Sequence, residues 1–308
     1  MGRADDASRL PGPVVVVCGP TAAGKSALSL SLAEALDGEV VNADSMQLYR
    51  GMDVGTAKLT VSERRGVPHH LLDVWDVTET ASVAAYQALA RRRVDELLTR
   101  GKTPLLVGGS GLYIQAVVDE MDFPGTDPLL RARLETELAE LGPQVMHARL
   151  AVADPAAARA ILPSNGRRIV RALEVTALTG SFVAELPERR SVYRSIHLGV
   201  DRDTAALDAR IAERVDVMWR AGFVDEVRGL AARGLVSGRT ASRALGYRQV
   251  LDFLSGDCDE EAARERTVNG TRRFVRRQRS WFRRDERITW LDAAAEDLTR
   301  QALSAARS

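Results

Sequence analysis

The chain has 308 residues, 45% of them apolar, and its 43 basic residues nearly cancel 42 acidic ones to leave a net charge of +1. That length holds one large domain or two smaller ones, and the apolar runs are strand-length, too short to span a membrane. Two cysteines, Cys18 and Cys258, exclude a disulfide framework and a cysteine metal cluster, so a reducing cytoplasm is the expected location.

In chain order, Met1-Gly2-Arg3-Ala4-Asp5-Asp6 lacks the apolar segment of a signal peptide, and residues 1–12 are expected to be disordered. Val14-Val15-Val16-Val17-Cys18 is a β-branched run that predicts a buried parallel strand. Cys18 at its end is expected to be a small core hydrophobe. The next eight residues, Gly19-Pro20-Thr21-Ala22-Ala23-Gly24-Lys25-Ser26, fit the phosphate-loop pattern G-x-x-x-x-G-K-[ST] at every fixed position. Residues 26–36 predict a helix. A loop between strand end and helix start aims backbone N–H groups at an anion, helped by the helix dipole. Lys25 adds a point charge and Ser26 a hydroxyl for Mg²⁺. The loop specifies a polyphosphate without specifying the reaction.

Residues 39–43 predict a second strand ending at Asp44-Ser45. Asp44 there is either a general base or Mg²⁺ partner, or an N-cap that only closes a turn. The turn-rich segment 51–58 could cover a ligand. His69-His70 are expected to be structural, because adjacent side chains do not face one metal and no third ligand is evident. A helix over 82–100 and a strand over 103–107 follow, the strand ending in Gly108-Gly109-Ser110-Gly111. This alternation predicts an α/β fold, a P-loop parallel sheet with helices on both faces. Residues 19–26, Asp44-Ser45 and Gly109-Ser110 should then converge at the carboxyl ends of the strands.

From 121 to 192 the pattern changes to helices alone, over 127–141, 144–151, 155–162 and 168–178. This predicts an all-helical insertion domain, with 13–120 and 193–308 forming the core. Strands are expected at 195–200 and 288–291, and helices over 204–221, 223–233 and 260–284. Arg210 either holds a pyrophosphate bidentately or is solvated. Between residues 264 and 287 ten arginines face three acids. Arg272, Arg276, Arg279 and Arg283 are spaced four, three and four apart and form one stripe, beside an apolar stripe of Val268, Val275 and Phe282. The basic stripe is either a solvated face or a contact for a nucleic-acid backbone.

Several segments together resemble the bacterial tRNA dimethylallyltransferase (tRNA isopentenyltransferase) family. They are the loop from Gly19 to Ser26, the block from Asp44 to Lys58, Pro68-His69-His70-Leu71-Leu72-Asp73, and Gly108-Gly109-Ser110-Gly111-Leu112-Tyr113. Arg168-Ile169-Val170-Arg171-Ala172-Leu173-Glu174, Ala244-Leu245-Gly246-Tyr247-Arg248, and Thr271-Arg272-Arg273 through Arg283-Arg284 complete the series. The segments keep family order and span about 13–291. The resemblance implies transfer of a dimethylallyl group from dimethylallyl diphosphate to the N6 amine of adenosine 37 of tRNA, beside the anticodon. It implies that Asp44 is the general base, that Thr21 and Arg210 hold the diphosphate, and that Lys25 and Ser26 complete the cradle with Mg²⁺. It assigns tRNA contacts to Asp44, Ser45, Met46, Gln47, Ser110, Arg131, Arg167, Arg168, Ile169, Val170, Arg171, Arg243, Ala244, Leu245, Gly246, Tyr247 and Arg248. The stripe Arg272, Arg276, Arg279 and Arg283 is expected to join them. A monomer is expected. Ser110 stands where many members have threonine, Gly166 where aspartate is common, and the zinc finger of the eukaryotic enzymes is absent. One rival is a P-loop small-molecule kinase using ATP, which needs neither the basic helix nor the 44–58 block. Another is a non-enzymatic RNA-binding protein, which gives no reason for the phosphate loop.

Overall fold

Alternate residues of a strand face opposite sides of a sheet, and here both sides are apolar. The computed structural model describes residues 12–184 and 187–307, so the segment expected to be disordered lies, apart from Gly12, outside the described residues. Strands β1 (Val14–Cys18), β2 (Gly38–Asn42), β3 (His69–His70), β4 (Thr103–Gly108), β5 (Ser195–Asp201) and β6 (Ile288–Asp292) form one sheet in the order β3-β2-β4-β1-β5-β6. Every neighbouring pair is parallel. Val15, Val17, Val40, Leu105 and Leu198 pack on one face with α1 (Lys25–Ala35), α7 (Thr204–Arg220) and α11 (Leu298–Arg307). Val14, Val16, Cys18, Val41 and Leu106 pack on the other with α2 (Val83–Thr99) and α3 (Gly111–Val118). Burial on both faces is why β1 reads as an unbroken apolar run.

β1 lies between β4 and β5, whose crossovers leave in opposite directions. A ligand crevice forms at the carboxyl ends of strands at such a switch point, and the phosphate loop sits there. A third apolar cluster holds the segment after β2 in place. Tyr49 and Met52 pack there against Phe223, Val227 and Leu230 of α8 (Phe223–Ala232) and Tyr247 and Val250 of α9 (Tyr247–Leu254).

Contacts divide the chain into two compact units. One comprises the segments up to Asp119 and from Ser191 onward, the other Glu120–Arg190. The second unit is helical: α4 (Pro128–Ala153), α5 (Pro155–Ala160) and α6 (Gly166–Thr179), around Leu134, Met146, Leu150, Ile169 and Val170. The two helices expected over 127–141 and 144–151 run on as α4, interrupted at Gly142, whose φ of 77° breaks the helix before Pro143. The long basic helix α10 spans Glu260–Phe282. β3, α3, α9 and α11 are not predicted from the sequence. β3 has two residues, and α3 and α9 have eight each, too short for a clear period. No helix among the described residues is long and apolar enough to cross a membrane.

Candidate active site

The phosphate loop is held in shape by neighbours. Gly19 has φ 138°, and a Cβ there would lie 2.2 Å from the Val200 carbonyl oxygen, so only glycine fits. Three cations hold the loop's carbonyls. Lys25 Nζ donates to Pro20 O at 2.7 Å, Arg210 Nε to Ala22 O at 3.1 Å, and Arg202 Nε to Ala23 O at 3.3 Å. Burial pushes the Lys25 amine down to about 8, against the pull of the Asp44 carboxylate. An anion bound beside it would raise it again. At the end of β1 burial pushes the Cys18 thiol up to about 12, which makes it inert.

Asp44 is fixed by the residue two before it. Asn42 Oδ1 accepts the Asp44 N–H at 2.9 Å, and Asn42 Nδ2 donates to the carbonyls of Asp44 at 3.1 Å and Leu71 at 3.0 Å. Asp44 Oδ1 accepts the Met46 N–H at 2.9 Å. No hydrogen bond among the described residues engages its Oδ2. One oxygen of Asp44 therefore closes the turn, and the other is left without a hydrogen bond among the described residues. Ser110 Oγ accepts the Ser45 N–H at 3.2 Å and ties this turn to the loop after β4.

The covering segment is pinned at both ends. Lys58 Nζ, nearly enclosed, donates to Tyr49 O at 3.0 Å and to the carboxylates of Asp53 at 2.6 Å and Asp73 at 2.7 Å. Glu226 of α8 accepts the backbone N–H groups of Asp53, Val54 and Gly55 at 3.0, 2.6 and 3.2 Å. Gln278 of α10 bridges two strand ends. Its Oε1 accepts the Thr21 N–H at 3.0 Å and its Nε2 donates to Gly109 O at 2.9 Å. A Cβ on Gly109 would meet Gln278 Nε2 at 2.3 Å, so glycine there lets α10 dock.

These pieces enclose a cleft of about 450 Å³. Thr21, Asp44, Ser45, Ser110 and Arg214 are among its polar lining, with Arg243, Arg248 and Arg277. Val215, Met218, Phe223, Leu245 and Phe274 make its apolar part. Arg214 Nη2 donates to Thr56 O at 3.1 Å. Burial lowers the Arg214 guanidinium, the Asp44 carboxylate raises it, and Arg210 lowers it, for a net fall. The cleft thus joins a cationic anion cradle, an open carboxylate oxygen and an apolar wall.

A family model described as IPP transferase matches residues 47–285. A tRNA dimethylallyltransferase of Salinispora arenicola is 67% identical over 298 residues, covering 96% of this chain and 87% of that protein. One of Streptomyces avermitilis is 66% identical over 287 residues, covering 93% of this chain and 92% of that protein. The chain belongs to the tRNA dimethylallyltransferase (IPP transferase) family. Solved structures agree. The full-length tRNA isopentenylpyrophosphate transferase of Bacillus halodurans superposes with TM-score 0.71 at 39% identity, covering 96% of this chain and 94% of that one. A eukaryotic dimethylallyltransferase acting on tRNA superposes with TM-score 0.81 at 26% identity, covering 95% of this chain and 77% of that one. The chain is therefore a prenyl-transferring enzyme.

Several residues expected at the family's RNA interface are used inside the protein. Arg279 is a correction. It is nearly buried, its guanidinium pairs with both oxygens of Asp201 at 2.8–3.0 Å, and it also donates to Thr204 Oγ1 at 2.9 Å and to the Arg202 carbonyl. Those bonds engage four of its five N–H donors inside the protein, and Asp201 balances its charge. Arg272 Nε faces Asp208 at 3.8 Å, while Arg276 and Arg283 are exposed, with no ion pair among the described residues. The side chains of Ile169 and Val170 are core residues of the helical unit, 0% and 1% exposed, and cannot touch RNA. Arg131 and Arg171 pair with the buried Glu174 at 3.0 and 2.7 Å, and Arg168 donates to the Ala184 carbonyl. Arg167 is exposed. Tyr247 and Ala244 are buried, and Tyr247 donates its hydroxyl to Glu226 at 2.6 Å, yet residues 243–248 all border the cleft. Gln47 is turned to the covering segment, its Nε2 donating to Thr56 O at 3.1 Å. Histidines 69 and 70 serve the sheet edge: His69 Nδ1 meets Val67 O at 2.9 Å and His70 Nε2 meets Glu39 at 2.6 Å.

Four site residues were not found by sequence reasoning: Arg214, Glu226, Phe223 and Gln278. Arg214 carried a usable signal, since it lies one helical turn from Arg210. The others act through contacts with residues more than a hundred positions away.

Proposed function

We propose that this cleft transfers a dimethylallyl group from dimethylallyl diphosphate to the N6 amine of adenosine 37 of tRNA. The observation that carries the reading is the open Asp44 oxygen facing the same cleft as the phosphate loop and an apolar wall. The diphosphate lies on the loop, with Lys25, Arg210 and Arg214 balancing its charge. The target base leaves its stack to enter the cleft beside Asp44. Its N6 lone pair forms the new bond to C1 of the donor while the C1–O bond breaks and its electron pair leaves on diphosphate. Asp44 takes the N6 proton. A neutral aromatic amine is a weak nucleophile, so positioning and a nearby base supply much of the rate.

Mg²⁺ fits the site in a limited way. The Ser26 hydroxyl makes no hydrogen bond among the described residues, and no cluster of three carboxylate, histidine or cysteine side chains lies there. The ion would be held by Ser26 and by diphosphate oxygens, and when bound it neutralises the leaving group. Residues 243–248 and the exposed arginines of α10 offer contacts to tRNA. The enzyme acts as a monomer in the cytoplasm.

Incubating the protein with labelled dimethylallyl diphosphate and unmodified tRNA, then digesting to nucleosides, tests this. Label in N6-dimethylallyladenosine is expected. Phosphate transfer from ATP to a small molecule, with no labelled nucleoside, would return the site to the kinase class.

A further inference from the structure

The cleft-lining residues of α7 follow one helical face: Ile211, Arg214, Val215 and Met218. Arg210, one turn before Arg214, donates to Ala22 O in the phosphate loop, so this end of the stripe marks the diphosphate. Arg214 to Met218 is one turn further, about 6 Å along the helix axis. Phe223, fully buried at the start of α8, lines the same cleft as Met218 and packs in one cluster with it. Its ring meets Tyr247 edge-on with centroids 5.0 Å apart and Trp219 at 5.3 Å. A Cβ added to Gly55 would lie 2.1 Å from the Phe223 ring, and one added to Gly246 would lie 3.1 Å from it. The ring is thus enclosed by two bare backbones and braced by two aromatics. Tyr49, Met52, Val227 and Val250 belong to the same packed cluster. This ring has no room to tilt.

We propose that Met218 and Phe223 form an end wall that limits the transferred chain to five carbons. The inference rests on the prenyl diphosphate reading above. The dimethylallyl chain runs three carbon–carbon bonds from C1, about 4 Å, and fits the space between Arg214 and Met218; a geranyl chain runs seven, about 9 Å, and meets the wall. A close-packed wall resists added carbons, because overpacking forces side chains off their rotamers. Phe223 is the rigid stop. Met218, unbranched and bordering the cleft, is the adaptable plug in front of it. The bond changes are the same for either donor: C1–O breaks with its pair on diphosphate, N6–C1 forms, and the proton goes to Asp44. Selection therefore comes from fit at the far end of the chain.

The test compares kcat/KM for geranyl and dimethylallyl diphosphate, with unmodified tRNA, in the wild-type full chain and in Met218→Ala. The wild type should use the shorter donor and reject the longer. Met218→Ala should raise the geranyl-to-dimethylallyl ratio by ~10-fold or more, the scale at which a hydrophobic pocket discriminates by size. Met218→Val, a smaller truncation, should move the ratio the same way by less, and decides the matter if the alanine variant does not fold. An unchanged ratio in a folded variant overturns the wall. So does a rise in KM for tRNA alone, which would mean that the apolar end holds the adenine ring. A wild type that transfers neither chain overturns the prenyl-transfer reading itself, a result distinguishable from the other two.

Discussion

Gln278 Oε1 accepts the backbone N–H of Thr21 at 3.0 Å. Through its Nε2 the same side chain reaches Gly109 O at 2.9 Å. One residue of α10 therefore spaces the loop after β1 from the loop after β4, and both loops border the reacting groups. The helix that carries the arginines also fixes the phosphate cradle.

Replacing Gln278 by leucine should strand a buried amide and a buried carbonyl. We expect a loss of ~1–3 kcal/mol in stability, a higher KM for the diphosphate and a lower kcat. Gln278→Glu keeps an acceptor for Thr21 but faces Gly109 O with a second acceptor and adds negative charge beside the diphosphate. It should raise the diphosphate KM more than leucine does. Single-turnover kinetics alongside thermal melts separate the two effects. A wild-type diphosphate KM in both variants would show that the bridge does not position the loop.

Asp44→Asn tests the base. Asparagine retains an oxygen for the Met46 N–H, so the turn should survive. Turnover should fall ~10²-fold or more, the usual scale for a general base, with the Kd for tRNA little changed. Rates at saturating tRNA check this, and a wild-type rate removes Asp44 from the role.

Arg214 and Arg210 are ranked by their surroundings. Arg214 borders the cleft and is partly enclosed, whereas Arg210 is exposed and bonded to a loop carbonyl. Arg214→Gln should cost ~1–3 kcal/mol in kcat/KM for the diphosphate, as for a charge-assisted contact. Arg210→Gln should cost less. The reverse order, measured under the same conditions, would give Arg210 the leading part.

The sheet was legible because strands buried on both faces are unbroken apolar runs, and the phosphate loop because its residues are contiguous. Asp44 was legible as a polar group at the end of β2; that Oδ1 takes the Met46 N–H while Oδ2 stays without a hydrogen bond among the described residues shows only in the fold. Gln278, Glu226 and Phe223 were hidden, since nothing local marks a glutamine that bonds residues 257 and 169 positions away. The arginine stripe was legible as a stripe, but its acids were not. Helical spacing shows partners within one helix, while Asp201 lies on β5 and Asp208 on α7.

Glu174 makes a pH prediction. Burial pushes its carboxyl up, but hydrogen bonds from Thr126 and Arg171 and the charge of Arg131 outweigh that and hold it below its ordinary 4.5. A carboxyl lowered by folding stabilises above its unfolded value and loses that contribution as pH falls through its folded value. The acid loss of stability should therefore begin below about pH 4.5, and Glu174→Gln should flatten it. At neutral pH the variant should lose about 1–3 kcal/mol, because the charge-assisted bonds from Arg131 and Arg171 to a buried carboxylate are lost while Arg131 keeps Glu135 and Arg171 keeps the carbonyls of Pro124 and Gly125. Melting temperatures across pH 3–7 check both parts. Parallel curves for the two proteins would remove Glu174 from the acid transition.

Arg279 and the pair Arg276 and Arg283 should behave oppositely, although all belong to one stripe. Arg279→Gln leaves Asp201 nearly buried without its partner, and breaking such a pair costs roughly 3–5 kcal/mol. We expect a large fall in Tm with no change in the salt dependence of tRNA binding. The exposed Arg276 and Arg283 make no ion pair among the described residues, so their charge is free for phosphates. Changing both to Gln should leave Tm within a degree or two. It should weaken tRNA binding and flatten log Kd against log salt by roughly 0.7–0.9 per lost contact. Turnover at saturating tRNA should change little, since backbone contacts position the RNA without touching the reacting amine. An unchanged slope in the double variant would take this face of α10 out of the RNA interface and leave α10 with a purely internal task, holding Thr21, Gly109 and Asp201 in place.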